Sequence, residues 1–512
     1  MKTTISLQGG WCVLTASLAL LSTFTNAADV VEPIAPINAP FEMPQLQRPI
    51  FPNLELSIAD FGAVEGGKTK NTDAFAKTIA ECAKKGGGRV VVPKGQWLTG
   101  PIHLKSNIDF HLDDGAEIIF SDQFEDYLPP VFVRSGGVEI YNYSPLIYAR
   151  NCENVAITGN GYLNGNANAW WSWSKRETKE SFKMGAAGMP VEKRVFGTPE
   201  AAIRPSFLGL VQCNNVLLEG FKIGSGPNWT IHPTYCKNII IRGLNIDTHG
   251  PNNDGIDPDS CKNLLVEHCT FNTGDDCMVL KSGYNQDGWR VAIPTENVVM
   301  RHCTGKEGHG GLVIGSEMSG DVRNVYMHDC QFDGTDHAVR IKSRIDRGGV
   351  VENVWVENVQ AKNLKRDVII MNMDYGSDRQ EVLVKKPPLF RNIHFKNITA
   401  EDAPIGIVIT GVSESLIQAI SFENVTIGSK QGVVANHFKD ASFKNVKISV
   451  TKGPVFDLTN AQGITIDFAS ESTLPFLQLN GADSSNVVIE SRGSTPIYNL
   501  GEGVPKDAVL LK

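Results

Sequence analysis

The chain has 512 residues, a formal net charge of −8 and a sequence pI near 5.8, and 41% of its residues are hydrophobic while 20% are charged. This composition is typical of a folded globular chain and excludes a disordered one. An acidic chain also lacks the clustered Lys and Arg from which nucleic-acid binding draws its affinity, so we expect no nucleic-acid partner, and a polyanionic ligand would need a local basic cluster.

The first 27 residues have the pattern of a secretory signal peptide. Lys2 precedes an apolar stretch over residues 11–21, and Thr25-Asn26-Ala27 places small residues at the two positions that signal peptidase reads. A membrane anchor is the alternative, but the stretch is too short to span a bilayer comfortably and no comparable stretch follows. The sequence therefore predicts a cleaved signal peptide over residues 1–27, a secreted or periplasmic protein and no membrane span.

Two short segments follow. Residues 28–55 are rich in proline, which removes backbone donors and favours extended backbone, so we expect an N-terminal arm there. Residues 71–85 place apolar side chains at helical spacing before three glycines at 86–88, which predicts one short capping helix. The positions with this spacing are Ala74, Phe75, Thr78, Ile79, Ala80 and Ala83.

The rest of the chain is a repeat. An Asn followed by alternating apolar positions recurs, and its shortest steps are 23 and 25 residues, the size of one coil of a parallel β-helix made of three short strands. We therefore predict an all-β fold, a parallel β-helix (solenoid) over residues 56–512. The repeat begins at Asn154, Asn215, Asn238, Asn263, Asn297, Asn324, Asn353, Asn392 and Asn486, with degenerate copies near Ala419, Ala441 and Gly463.

Cysteines keep the same register. Cys152, Cys213, Cys236 and Cys261 each stand two residues before a repeat Asn, and Cys269, Cys303 and Cys330 each stand six after one. Stacked coils about 4.8 Å apart would place each set in a ladder inside the helix, close enough for disulfides. Buried Cys also serves as a small hydrophobic residue, and we expect most of these thiols to be free.

Five carboxylates lie near one another in the middle of the chain. Asp254, Asp257 and Asp259 crowd one turn, and the Asp275-Asp276 pair follows one coil later. Because like charges repel, such a cluster usually holds a cation or poises one carboxyl as an acid beside another that stays ionised. Asp257 and Asp259 have two interpretations: they bind substrate or a cation, or they cap turns.

The repeat register predicts which of these side chains meet. Asp275 stands twelve residues after Asn263 and His309 twelve after Asn297, so the two should stack on adjacent coils. Asp254 stands sixteen after its repeat Asn and Arg340 sixteen after its own, and we expect these two at the same edge. Consecutive coils would then form a cleft that crosses the helix axis.

Four motifs in this region resemble those of glycoside hydrolase family 28, the polygalacturonases. They are Asn252-Asn253-Asp254, Gly274-Asp275-Asp276, Gly308-His309-Gly310 and Arg340-Ile341-Lys342, and they occur in the family's order. The resemblance runs from about Ser57 to about Glu357. The family has Thr where this chain has Asn253, a difference that affects local turn bonding and leaves the aspartate in place.

The resemblance implies a right-handed, single-stranded β-helix and a role for each residue. Asp275 would be the general acid, Asp254 and Asp276 would hold and deprotonate the attacking water, and His309 would support the acid's protonation state. Arg340, Lys342 and Asn252 would bind substrate. It further implies inverting hydrolysis of a pectic polysaccharide, most simply α-1,4-linked galacturonan. Separately, we expect a monomer that needs no cofactor or metal, since coupling between like charges can hold one carboxyl protonated.

A break in the repeat bears on where the polymer is cut. Residues 164–204 interrupt the coils with basic residues and the aromatic run Trp170-Trp171-Ser172-Trp173. Such a loop could close one end of the cleft and favour exo action, or it could be a surface decoration. The tryptophans have two equally supported interpretations, a sugar-stacking platform and packing against the helix.

Other functions remain alternatives on the same fold. A rhamnogalacturonan-type hydrolase would use the same carboxylates, whereas a pectate-lyase-like eliminase would need calcium and a basic residue as its base. A non-catalytic carbohydrate-binding β-helix has no reason to assemble five carboxylates beside His309 and Arg340. We therefore expect an enzyme.

Overall fold

The computed structural model describes residues 1, 32–376, 384–468, 474–491 and 495–512. The predicted signal peptide lies outside the described residues apart from Met1, so its cleavage stays a prediction. The chain divides into Met1–Pro36, in which residues 32–36 have no helix or strand, and Ile37–Lys512, which contains all the elements below. In the part of the chain that the structure describes, no helix is both long and apolar enough to cross a membrane.

The strands between Glu55 and Leu511 form a right-handed parallel β-helix, as predicted. Three long parallel sheets, here called A, B and C, are built from short strands that stack coil on coil. Side chains alternate between the interior and the outside: Val216 and Leu218 lie in the central core while Leu217 between them faces out. The interior is almost entirely aliphatic and aromatic, which fixes the coil register because a one-residue slip would turn polar side chains inward.

Sheet A contains Glu55–Ser57, Gly88–Val92, Ile108–Leu112, Glu153–Gly159, Asn214–Glu219, Lys237–Arg242, Lys262–Glu267, Thr295–Arg301, Ser485–Ser491 and Val509–Leu511. Sheet B contains Gly95–Thr99, Ala116–Phe120, Tyr162–Asn164, Lys222–Gly224, Asn245–Thr248, Thr270–Thr273 and Thr304–Glu307. Sheet C contains Ile102–His103, Ile147–Arg150, Leu208–Val211, Ile231–Thr234, Met278–Leu280, Leu312–Ile314, Val339–Lys342, Asp367–Asn372, Leu477–Asn480 and Tyr498–Leu500. Longer strands continue round the corners: Val322–Asp333, Val350–Lys362, Leu389–Thr410, Ile417–Val450 and Phe456–Phe468.

The repeat asparagines form a ladder at one corner of the coil. From Asn154 to Asn392 these residues have φ between 52° and 60°, in the left-handed region that Asn tolerates better than most residues. From Asn215 to Asn392, each Nδ2 donates to the Oδ1 of the repeat Asn one coil earlier, over 2.6–3.4 Å. The repeat that the sequence predicted is therefore confirmed, and its physical basis is a turn that needs both an unusual φ and an amide.

The predicted capping helix spans Thr72–Lys84. Its buried residues are Ala74, Phe75, Thr78, Ile79 and Cys82, so the spacing was right except at Ala80, which is exposed. The remaining helices are short: Asn168–Trp171, Glu180–Ala186 and Asn285–Val291, with 3-10 turns at Ile58–Phe61, Phe124–Tyr127, Ser172–Lys175 and Val191–Lys193.

The nine cysteines in the described residues are buried free thiols, as expected for most of them. The ladder geometry is present: the backbone N–H of Cys213 donates to Cys236 Sγ at 3.3 Å. The ladder thiols donate to nearby backbone carbonyls; Cys236 Sγ, for example, donates to the carbonyl of Leu210. Burial raises the pKa of Cys236 and Cys303 well above the ordinary value, so these groups act as packing residues.

Part of the proline-rich arm crosses the outside of sheet A. Residues 37–53 contain no helix or strand, and the ring of Phe41 lies 5.9 Å from that of Trp355. Farther along, Arg48 pairs with Glu219 at 2.7 Å. The boundaries between signal peptide, arm and β-helix stay predictions.

A second, smaller core lies outside sheet C. The antiparallel hairpin Val131–Ser135 and Val138–Asn142, joined by Val195–Phe196, packs on outward-facing residues of sheet C that include Tyr148 and Val211. Two buried ion pairs fix it in place: Arg134 with Asp259 and Arg194 with Asp287, each at 2.9 Å.

Candidate active site

Sheet C positions the acidic residues. Ile256 bridges Ile231 on the preceding coil and Met278 on the next one. Asp254 stands two residues before Ile256, and Asp276 stands two before Met278, so the two aspartates lie side by side where the chain enters sheet C. The backbone N–H of Gly255 donates to the carbonyl of Asp276 at 2.9 Å, which ties the two entrances together.

Asn253 locks the turn that carries Asp254. Its Oδ1 accepts from Thr248 Oγ1 and from the Gly250 N–H, and its Nδ2 donates to the carbonyls of Gly226 and Asn228. Because the side chain is fully buried and makes four hydrogen bonds, this residue performs the turn bonding at the position where the family motif has Thr.

Arg204, the last residue of the predicted insertion, clamps the same turn from outside. Its Nη1 donates to the carbonyls of Pro251 at 2.6 Å and Pro227 at 3.1 Å, and its Nη2 donates to Asn252 Oδ1 at 2.8 Å. Asn252 itself is exposed beside Asp254, compatible with the predicted contact to substrate. The repeat pattern carried no signal for Arg204, because this residue lies in the insertion, outside the repeat, and two of its partners are backbone carbonyls.

Asp275 and His309 meet as the register predicted. His309 Nδ1 lies 2.9 Å from Asp275 Oδ1, and the His309 N–H donates to the Asp275 carbonyl at 2.9 Å. Burial works to raise the pKa of Asp275, but the hydrogen bond from His309 and the charge of Lys342 outweigh it and lower that pKa to about 2. The same hydrogen bond raises the pKa of His309 above its ordinary 6.5.

Asp276 receives both predicted cations. Lys342 Nζ lies 2.7 Å from Asp276 Oδ2, and Arg340 Nη1 lies 3.5 Å from Oδ1. The ring of Tyr375 lies next to both cations, 5.2 Å from the Arg340 guanidinium and 5.4 Å from Lys342 Nζ. Tyr375 was missed, since it follows the Arg-Ile-Lys motif by more than thirty residues.

The equal offsets of Asp254 and Arg340 do not mean equal strand positions. Arg340 pairs with Val313, which pairs with Val279, whereas Asp254 stands level with Asp276. Arg340 therefore lies three positions farther along sheet C, and it reaches the acidic cluster only through the length of its side chain.

Lys281 is a buried cation that the sequence analysis missed. Its Nζ lies 3.8 Å from Asp254, 3.6 Å from Asp257 and 3.3 Å from Glu317, and 4.2 Å from the centre of the Trp229 ring. Lys281 directly follows the strand Met278–Leu280. Because side chains alternate along a strand and Leu280 points inward, Lys281 points outward, beneath the carboxylates. No motif marks this position.

The neighbouring aspartates have different surroundings. Asp259 is an ion-pair partner of Arg134, so it holds the hairpin rather than caps an exposed turn. Asp257 is fully buried. Burial, and then the charges of Asp257 and Asp275, raise the pKa of Asp254 well above its ordinary value, and burial likewise raises that of Asp257.

Asp275, Asp276 and His309 also satisfy the spacing of a cation site. One ligand atom from each lies within 4.8 Å of the others, the one such group among the described His, Cys, Asp and Glu residues. Lys342 already places a positive charge against Asp276, and the expectation of a metal-free site stays a prediction.

The insertion's tryptophans divide between the two interpretations. Trp170 and Trp173 are buried among Phe124 and Tyr143, with ring centroids 4.4–5.7 Å apart, so for these two the packing interpretation is confirmed. Trp171 is half-buried, and its Nε1 donates to the carbonyl of Gly226. A Cβ at Gly250 would come within 2.4 Å of its ring, so this indole borders the Asp254 turn.

A parallel β-helix whose outer sheet face combines an aspartate–histidine pair, two further aspartates and two cations defines a glycoside hydrolase that acts on an acidic sugar. The model of the family called glycosyl hydrolases family 28 matches residues 82–436. The chain belongs to glycosyl hydrolases family 28.

Similar proteins include polygalacturonases of plants and bacteria. A "probable polygalacturonase" from Vitis vinifera is 30% identical over 383 residues, covering 72% of this chain and 74% of the relative. An "exo-poly-alpha-D-galacturonosidase" from Dickeya chrysanthemi is 25% identical over 429 residues, covering 77% and 71%. The solved structure of a hyperthermoactive exopolygalacturonase from Thermotoga maritima superposes with a TM-score of 0.75 at 40% identity, covering 79% of this chain and 94% of that one.

Proposed function

We propose that the protein hydrolyses α-1,4-linked galacturonan from chain ends, by single displacement with inversion. The observation that carries the proposal is the meeting of the Asp275–His309 pair with Asp276 and its two cations in one groove. The names of the relatives from Dickeya and Thermotoga support the same substrate and exo action.

In the proposed mechanism the Asp275–His309 pair delivers one proton. In the free site the low pKa of Asp275 and the raised pKa of His309 put that proton on the imidazole. A uronate carboxylate beside Lys342 would offset one of the charges that hold the Asp275 pKa down, and the 2.9 Å hydrogen bond gives the proton a path from the imidazole to the carboxyl. Asp275 then protonates the glycosidic oxygen while Asp254 and Asp276 orient and deprotonate the water.

Arg340 and Lys342 divide the binding of the substrate carboxylate. Arginine can present two parallel N–H donors to a carboxylate, whereas lysine supplies a compact charge. Asn252 is exposed next to Asp254 in the chain, where it would contact a sugar hydroxyl. An acidic protein can thus bind an acidic polymer through a local reversal of sign.

Exo action follows from the covered face of sheet C. The hairpin core buries Tyr148 and Val211 on coils that precede Asp254, and His232 on the coil next to it is only 4% exposed. A polymer cannot continue along the outward face in that direction, so we infer that the groove receives a chain end. The insertion contributes to this wall through Arg194 and Phe196.

We also propose that the protein is exported and acts as a monomer. The predicted signal peptide supports export to the periplasm or the medium, where a pectic polymer would be met. Galacturonan-derived oligomers, rather than a membrane or a nucleic acid, would be its partners.

The test is product analysis. Incubation with polygalacturonate should release reducing sugar as short products of uniform length from the first minutes, with no absorbance from an unsaturated sugar. Asp275→Asn should lower kcat by at least about 1000-fold, since it removes the acid, and leave the Tm unchanged. Asp333→Asn, an exposed aspartate on the corner strand of sheet B, is the matched control and should retain full activity.

Unsaturated products would show an eliminase, a ladder of mixed lengths would show internal cleavage, and release from rhamnogalacturonan alone would reassign the sugar. An active Asp275→Asn variant would remove Asp275 from the acid role.

A further inference from the structure

Asp257 has no place in the mechanism above, yet its surroundings are unusual. Its side chain is 0% exposed, and neither carboxylate oxygen accepts a hydrogen bond from any donor in the described part of the chain. Asp254 Oδ1 is likewise buried without a donor among those residues. An ionised carboxylate in such a position has lost its water and gained no hydrogen bond, an arrangement that proteins seldom retain.

The charges around the pair require a proton. Asp254, Asp257 and Glu317 share one ammonium, that of Lys281, at 3.3–3.8 Å. Asp275 and Asp276 face the same pair, but His309, Lys342 and Arg340 already compensate them. Burial opposes ionisation of Glu317, but Lys281, Arg347 and Lys342 outweigh it and lower its pKa, so Glu317 is ionised and the proton belongs to Asp254 and Asp257.

The two carboxyls flank one cation on the same turn: Lys281 Nζ lies 3.8 Å from Asp254 and 3.6 Å from Asp257. Asp257 is the more enclosed of the two, since both of its oxygens are buried without a donor among the described residues, whereas Asp254 has one such oxygen. Two carboxylates are both acceptors, so a hydrogen bond between them exists only if one is protonated.

We propose that Asp257 is a positioning residue for Asp254: it is held as a neutral carboxylic acid whose hydroxyl donates to the Asp254 carboxylate, with Lys281 as the fixed counter-ion beneath both. This assignment rests on the proposed function, in which Asp254 must be ionised to take a proton from water. The donated hydrogen bond stabilises that ionised form and fixes which oxygen of Asp254 faces the water.

The test compares two substitutions at one position. Asp257→Asn keeps a neutral donor of the same shape, so kcat should stay within about fivefold of the parent and the acid limb of the pH–rate profile should not move. Asp257→Ala removes the donor, so kcat should fall about 100-fold and the acid limb should move to higher pH. Loss of activity in Asp257→Asn, or an acid limb displaced to lower pH, would show that Asp257 is ionised and overturn the proposal.

Infrared spectroscopy tests the proton without any assay. The wild-type protein at pH 7.5 should show the carbonyl stretch of a protonated carboxylic acid, and the difference spectrum against Asp257→Asn should assign it to Asp257. A spectrum without that band would refute the protonated state even if the variants did not fold. If the band is present but galacturonan is not cut, only the proposed function fails.

Discussion

At the scale of single residues, the proton shared by Asp275 and His309 decides the working pH range. The hydrogen bond to Asp275 raises the pKa of His309 above 6.5. The pair therefore keeps its one proton at pH values below the raised pKa and loses it as the pH rises through that pKa. Activity that depends on this proton must therefore decline on the alkaline side of the pH–rate profile. The decline must begin at a higher pH than for a histidine with an ordinary pKa.

His309→Gln tests this assignment. Glutamine can still donate a hydrogen bond to Asp275, but its amide does not transfer a proton. We therefore expect the alkaline limb of the pH–rate profile to shift to lower pH by more than about one unit and kcat to fall about 100-fold. The measurement is kcat against pH on oligogalacturonate. His268→Gln, an exposed histidine at the corner of sheets A and B, should leave both unchanged; an unmoved alkaline limb in His309→Gln would assign it to another group.

At the scale of elements, the asparagine ladder sets the shape of each coil. Asn297 has φ of 59°, donates to Asn263 at 3.1 Å and accepts from Asn324 at 3.0 Å. Two effects are combined at this corner: the left-handed backbone, which a Cβ-bearing residue adopts at some cost, and the amide-to-amide hydrogen bonds between coils.

Two substitutions separate these effects. Asn297→Ala should lower the free energy of unfolding by about 2 kcal/mol or more, because it loses two hydrogen bonds and keeps the left-handed φ. Asn297→Gly should recover part of this loss because glycine adopts that φ freely. Asn245→Ala, at an exposed strand position, is the control. Denaturation midpoints measure all three, and equal values for Ala and Gly would show that φ contributes nothing.

The same ladder explains which contacts of the site could be predicted from the sequence. The offset of twelve residues predicted the Asp275–His309 contact because the register shift between these coils, after Phe271, is recovered by the point where Met278 pairs with Leu312. The offset of sixteen placed Asp254 and Arg340 at one cleft but at the wrong relative position, since loops of different length intervene. Arg204, Lys281 and Tyr375 could not be predicted, because their partners come from other coils or from an irregular segment that has no period.

At the scale of the whole molecule, the interior is a continuous stack in which cysteine is one more apolar residue. The nine described thiols lie on several coils, from Cys82 in the capping helix to Cys330 on a corner strand. Burial raises the pKa of Cys236, Cys269 and Cys303 well above the ordinary value, so little thiolate is present at these three positions at neutral pH.

Stability should therefore be independent of the redox state of the solution. For the protein without residues 1–27, we expect no thiol to react with an aromatic disulfide reagent in the native state. In guanidinium chloride, nine thiols per molecule should react. The Tm should be the same with and without dithiothreitol, because no disulfide constrains the unfolded chain. A lower Tm in the reductant, or fewer thiols after unfolding, would mean that a ladder pair is oxidised.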